Sequence, residues 1–288
     1  MIPALSTDEE LRRQGVRAFL LITFAATWGI GFVERVVFGW SLQNPLVQLG
    51  PAIVPAVAAV IVRKWVTKEG FADAGLPLRL RRAWKQYLLA LVGPLLLSGG
   101  IVGTAVLFGW YEWDDSKLQE GLGGMPLPVT VGALMLLSVV CMPLFWGEEF
   151  GWTGYLRPRL LPGNQLMSLL ATSFVWAAWH YPLAWTDYAE FDNVLVGLLC
   201  WTAIFFPLQA VFTALYDRSG SIWVPSLAHA GNNFVLWSFP GLLMTETGQL
   251  SSSQVNLIGC IPLTLVAVWA WRSRPRPVQP VQPVQPAR

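Results

Sequence analysis

Two adjacent carboxylates, Glu148 and Glu149, stand among the aromatic residues Phe145, Trp146, Phe150 and Trp152, and the chain's only two histidines, His180 and His229, each fall inside a long apolar run. An ionised side chain at the centre of a bilayer costs about 2.5–3.5 kcal/mol on insertion scales, so one is retained there where it is paired or used. Two neighbouring carboxylates in an apolar stretch cannot both be ionised cheaply, and a carboxylate that exchanges its proton near neutrality is what a general base requires. Trp176 and His180 are four residues apart and share a helix face, as do His229 and Asn233, with Asn232 adjacent. A base, two imidazoles and an amide donor suit the activation of a water and the stabilisation of the oxyanion of a tetrahedral intermediate.

Each position also has a plainer reading. A membrane histidine can simply bond a carbonyl, and asparagine commonly hydrogen-bonds between helices as packing glue. The Glu pair, if it ends a helix, can snorkel toward Arg157 and Arg159. Gly147, Gly151 and Gly154 need no explanation beyond close approach of a neighbouring helix. What links the polar positions is rarity: both histidines and what read as the only buried acids fall on three helices, which predicts one shared site.

The elements that must position these residues are apolar runs of membrane-spanning length. Of 288 residues, 54% are hydrophobic and 12% charged, against roughly 25% charged in an ordinary soluble domain. Runs of about 20 apolar residues cross a hydrocarbon layer as helices. They are read as Val16 to Val33, Leu46 to Val62, Trp84 to Phe108, Val129 to Glu149, Gln165 to Leu183, Val194 to Tyr216, Ile222 to Phe239 and Val255 to Trp271. The expected fold class is all-α: a polytopic membrane protein, a bundle of about eight transmembrane helices. One domain over 16–272 is expected between cytoplasmic tails at 1–15 and 273–288. Pro55, Pro94, Pro143, Pro207 and Pro225 should mark kinks rather than ends.

Charge fixes the sidedness, because positively charged loops stay in the cytoplasm. With the N-terminus inside, the lysines and arginines gather on one side except Arg35 and Lys117. The expectation is a multi-pass protein of the cell membrane with both termini cytoplasmic. Met1 to Gln14 is polar and mixed in charge, so the first apolar run should stay as an anchor. Trp40, Trp65, Trp84, Trp110, Trp185 and Trp271 fall at span ends, where indoles suit the head-group level. A net charge of +2 suggests no nucleic-acid partner; the basic cluster from Arg79 to Lys85 suits anionic lipid of the bilayer instead. Cys141, Cys200 and Cys260 stand alone, without a disulfide or Cys metal pattern. The Pro-Val-Gln repeats from Arg274 onward favour an extended, disordered tail. Counting about 1.5 Å per residue, Glu148 and His229 lie at moderate depth while His180 falls near the opposite face, so segment five must begin outside the membrane or tilt.

Three segments together resemble a known family: Glu148-Glu149-Phe150-Gly151-Trp152-Thr153-Gly154-Tyr155-Leu156, then Trp176-Ala177-Ala178-Trp179-His180-Tyr181-Pro182, then His229-Ala230-Gly231-Asn232-Asn233. They are similar to the three motifs of the CPBP (Abi) family of intramembrane endopeptidases, which includes CAAX-processing and bacteriocin-processing proteases. The resemblance implies an eight-helix protease acting on a peptide or protein substrate at the membrane. In it Glu148 and His180 would activate water, His229 and Asn233 would hold the oxyanion, and Glu149 would support the site. If a metal such as zinc is used, the resemblance gives Glu148, His180 and His229 as its ligands; the soluble His-Glu-x-x-His pattern is absent. The sequence departs from the family at Thr153, where arginine is usual, and so removes a counter-charge from beside the acid pair. Two other classes use the same buried groups: a proton-coupled transporter, or a membrane scaffold without chemistry.

Overall fold

A computed structural model describes residues 9–121, 124–189, 191, 193–236, 238–247 and 252–275; the Pro-Val-Gln repeats lie outside the described residues. The expected spans are helical wherever they are described, as they must be in a solvent that offers the backbone no hydrogen bonds. In chain order the helices are α1 (Glu9–Phe32), α2 (Pro45–Ile61), α3 (Leu80–Leu107), α4 (Ser116–Gly121), α5 (Leu127–Glu149), α6 (Arg157–Leu160), α7 (Gln165–His180), α8 (Val194–Ser219), α9 (Trp223–Gly231), α10 (Ser238–Leu243) and α11 (Ser252–Arg272). Among the described residues only two short strands break the all-α pattern, β1 (Tyr111–Trp113) and β2 (Met244–Glu246), paired antiparallel with Glu112 opposite Thr245. Pro55, Pro94, Pro143 and Pro207 lie inside continuous helices, as expected.

Among the described residues, five helical stretches are long and apolar enough to cross a membrane: Glu9–Val37, Pro45–Val66, Leu80–Leu107, Leu127–Leu160 and Val194–Ser219. The other three expected spans form α7, of 16 residues, α9, of 9, and α11, of 21, so five of the eight expected spans meet the length and composition of a crossing helix among the described residues. Large apolar side chains such as Leu46, Leu96, Leu136, Val140 and Leu199 point outward and stay exposed. A surface this apolar suits lipid.

α5 packs on α2 and α9, α7 on α8, and α9 on α3. Glycine permits the closest of these approaches: a Cβ at Gly147 would stand 2.7 Å from the Ala52 carbonyl oxygen, and one at Gly151 would overlap Pro55. The expected end of segment four at Glu149 needs correction, because the helix continues through a π-helical turn, Phe150–Leu156, into α6. Glu148 therefore lies twelve residues, about 18 Å, before Leu160, and Trp176 lies eleven residues, about 16 Å, after the start of α7. His180 sits one turn further on, and the Trp176–Glu148 hydrogen bond joins the acids to the second motif at that level.

Basic residues assigned to one side gather at one end of the bundle. Arg63 and Arg159, both buried, share Asp73 at 2.7 and 3.0 Å, and Arg159 also pairs with Glu69 at 3.1 Å. Arg157 pairs with Asp217 at 2.8 Å. The snorkelling reading of the Glu pair is thereby corrected, since both arginines are committed to other acids. At the other end Arg35 pairs with Asp187 at 3.6 Å.

Candidate active site

Trp176, on the buried face of α7, is the hub of the site. Its indole N–H donates to Glu148 Oε2 at 2.8 Å, and its ring lies 5.3 Å from the ring of His229 and 6.2 Å from that of His180. Phe205 and Phe212 of α8 close around it, at 4.6 and 6.0 Å. Glu148 is 7% exposed, and it lies close enough to both histidines to interact with them electrostatically. His180 is the last residue of α7, where the unpaired backbone carbonyls of a helix end are found. Its Nδ1 lies 2.9 Å from the Trp176 carbonyl oxygen. A carbonyl only accepts, so Nδ1 carries the proton and Nε2 is left for other partners. Trp28 of α1 braces this end by donating to the Trp179 carbonyl at 3.1 Å.

Glu149 is fully buried and accepts on both oxygens. His229 Nδ1 meets Oε1 at 3.0 Å and the Thr153 hydroxyl meets Oε2 at 2.6 Å. The π-helical turn that follows Glu149 supplies Thr153; insertions of this kind inside α-helices recur at functional sites. His229 also packs against Phe145 at 4.8 Å and Phe212 at 5.5 Å. α9 holds it deep in the bundle because a Cβ at Gly231 would strike Pro94 of α3. Asn233 stands on the π-helical turn after α9, exposed, with its Oδ1 accepting from Asn232 Nδ2 at 2.9 Å.

Glu148, Glu149, His180 and His229 thus share one neighbourhood around Trp176, and Asn233 lies one turn beyond His229. Among the described residues, no three His, Cys, Asp or Glu side chains converge as a metal-binding group. Both histidine Nδ1 atoms are engaged by oxygen acceptors, which leaves each Nε2 as the ring nitrogen open to a further partner.

Sequence reasoning missed one residue of this cluster and one buried acid outside it. Gln209 of α8 is fully buried, and its Nε2 donates to Thr153 at 2.9 Å and to Thr213 at 3.3 Å; a lone amide inside an apolar span was the available signal. Glu34 is also buried, so the Glu pair are not the only buried acids. It was placed just past a span ending at Val33, whereas the helix runs on to Val37.

Residues 128–235 match the family model of type II CAAX prenyl endopeptidase Rce1-like proteins. The resemblance carried by the three motifs is borne out. The Rce1-like segment runs from α5 to the turn after α9 and takes in Glu148, Glu149, His180, His229 and Asn233. The family matched there is described as one of prenyl endopeptidases. No curated protein matches the chain.

Proposed function

We propose that this protein is an intramembrane endopeptidase that hydrolyses a peptide bond in, or next to, the bilayer with a water activated by Glu148 and His180. The observation that carries the reading is the buried cluster in which one indole, Trp176, binds the Glu148 carboxylate and touches the rings of both histidines. With Oε2 fixed by that indole, Glu148 has Oε1 to take a proton from water, and His180 offers Nε2 beside it. The water oxygen attacks the scissile carbonyl carbon as its proton passes to the carboxylate. The resulting oxyanion is received by His229 Nε2–H, whose ring is supported from behind by Glu149, and by the Asn233 amide. The proton held by Glu148 then moves to the leaving amine as the C–N bond breaks, which yields a free carboxyl and a free amine.

The substrate is a protein or peptide presented at the membrane, and the prenylated CAAX type named in the family description is the first to try. The protein sits in the cell membrane with the Arg63, Arg157 and Arg159 end and both termini cytoplasmic, in keeping with the positive-inside rule. The test is cleavage of a prenylated CAAX-type reporter and of an unprenylated membrane-anchored peptide by the full chain in vesicles. Glu148→Gln, His180→Ala and His229→Ala should each abolish cleavage while expression and insertion persist. Undiminished cleavage by Glu148→Gln would end this mechanism, and substrate-driven flux without cleavage would favour a transporter.

A further inference from the structure

Thr153 stands where the resembling motif usually carries arginine, and the groups around it form a chain with one direction. Gln209, Thr153, Thr213 and Glu149 are fully buried, and His229 is 5% exposed. Gln209 Nε2 meets Thr153 Oγ1 at 2.9 Å, Thr153 Oγ1 meets Glu149 Oε2 at 2.6 Å, and Glu149 Oε1 meets His229 Nδ1 at 3.0 Å. An amide NH2 only donates, so the Thr153 hydroxyl accepts from it and turns its single proton toward the carboxylate. The opposite amide orientation would ask that one proton to serve both the amide oxygen and the carboxylate, leaving one of the two contacts without a hydrogen. In the orientation seen, the remaining Gln209 oxygen is buried without a hydrogen-bond partner among the described residues, a cost that native structures seldom carry without a reason.

Resting on the endopeptidase reading above, we propose that Gln209 and Thr153 are positioning residues that stand in for the missing arginine: they fix Glu149 as an acceptor on both oxygens and so hold His229 with Nδ1–H toward Glu149 and Nε2 toward the reacting carbonyl. A neutral relay orients the carboxylate as an arginine would. It adds no positive charge, however, so the charge facing Glu149 is left to His229, among neighbours that include Glu148 and His180.

The experiment compares the full-length chain in vesicles with Thr153→Val, Thr153→Ser, Gln209→Leu and the Thr153→Val/Gln209→Leu double variant, with Glu148→Gln as the control for the endopeptidase reading. Thr153→Val keeps the side-chain shape and removes the hydroxyl. It should lower kcat roughly 10- to 100-fold with KM unchanged, the effect of one hydrogen bond lost from a charged group. Thr153→Ser restores the hydroxyl and should recover kcat to within about threefold of the parent. The double variant should be no worse than Thr153→Val alone, because the two residues act through one bond. Since the chain has only two histidines, selective ¹⁵N labelling gives a readout that does not need turnover: the His229 Nδ1–H resonance should move in Thr153→Val and stay in place in Thr153→Ser. Parent-like kcat in Thr153→Val, multiplying losses in the double variant, or an unmoved His229 signal would overturn the relay. If Glu148→Gln is inactive while Thr153→Val cleaves normally, the relay alone fails; if Glu148→Gln cleaves normally, the reading beneath it fails.

Discussion

Replacing Trp176 by phenylalanine removes one hydrogen bond and leaves most of the packing. The indole N–H reaches Glu148 Oε2 at 2.8 Å in a site where the tryptophan is 1% exposed. A hydrogen bond to a charged group in such surroundings is worth about 1.5–3 kcal/mol, so loss of its full value from the transition state lowers kcat/KM by roughly 10- to 100-fold. Phenylalanine still fills the space against Phe205 and Phe212 but leaves a gap the size of the lost pyrrole ring, at a stability cost below the about 3–5 kcal/mol of complete truncation. Glu148→Gln is the informative partner, because its amide oxygen still accepts from the indole: that variant should be as stable as the parent and inactive. The assay is reporter cleavage in vesicles, alongside thermal unfolding of the same preparations in detergent. Parent-level cleavage by a folded Trp176→Phe variant would refute the idea that the indole sets the carboxylate, as would marked destabilisation by Glu148→Gln.

Gly151→Val, which drives its side chain into Pro55, should cost at least about 1–3 kcal/mol and lower the melting temperature in detergent. Arg159→Met strands Glu69 and Asp73 beside Arg63 and should cost about 3–5 kcal/mol, read in the same melt. Burial pushes the Asp73 carboxyl up, but hydrogen bonds and ion pairs with Arg63 and Arg159 outweigh it and hold it below its ordinary value of 3.8. A carboxyl lowered by folding stabilises the fold above that value, and the contribution is lost as pH falls below it; the parent should therefore lose melting temperature on acidification more steeply than Asp73→Asn. His229→Ala should lower both stability and cleavage by leaving Glu149 buried with the Thr153 hydroxyl but without its imidazole partner, and adding Glu149→Gln should recover stability while cleavage stays absent.

The helices were legible because a bilayer demands long apolar runs, and charge between the runs marks their ends. Membership of the site was legible for a related reason: a histidine or acid within such a run is conspicuous. The continuation past Glu149 was not, since Phe150-Gly151-Trp152-Thr153-Gly154 followed by Arg157 and Arg159 reads as an interface, and a π-helical turn leaves no periodic trace in five to seven residues. Gln209 escaped notice because a neutral amide raises no charge signal and its partner Thr153 is 56 residues away. Thr153 itself was legible only as a missing cation. Its hydroxyl becomes meaningful once the fold sets a donor on one side of it and a carboxylate on the other.

The charge balance of the site follows from where the arginines went. Arg157 is held by Asp217, and Arg159 by Glu69 and Asp73, so the basic residues that follow the acid pair most closely in sequence anchor the bundle end instead. Glu148 is met by an indole and Glu149 by a hydroxyl and an imidazole. Of these three donors only the imidazole can carry positive charge. A site with a fixed cation beside the pair can change the protonation of its histidines freely; in the proposed mechanism the proton that balances Glu149 and the proton offered to an oxyanion would reside on the same ring. On that mechanism, stability of the buried acids and competence for catalysis would both depend on one residue, His229, and the neutral contacts from Thr153 and Gln209 could orient that residue but not replace its charge.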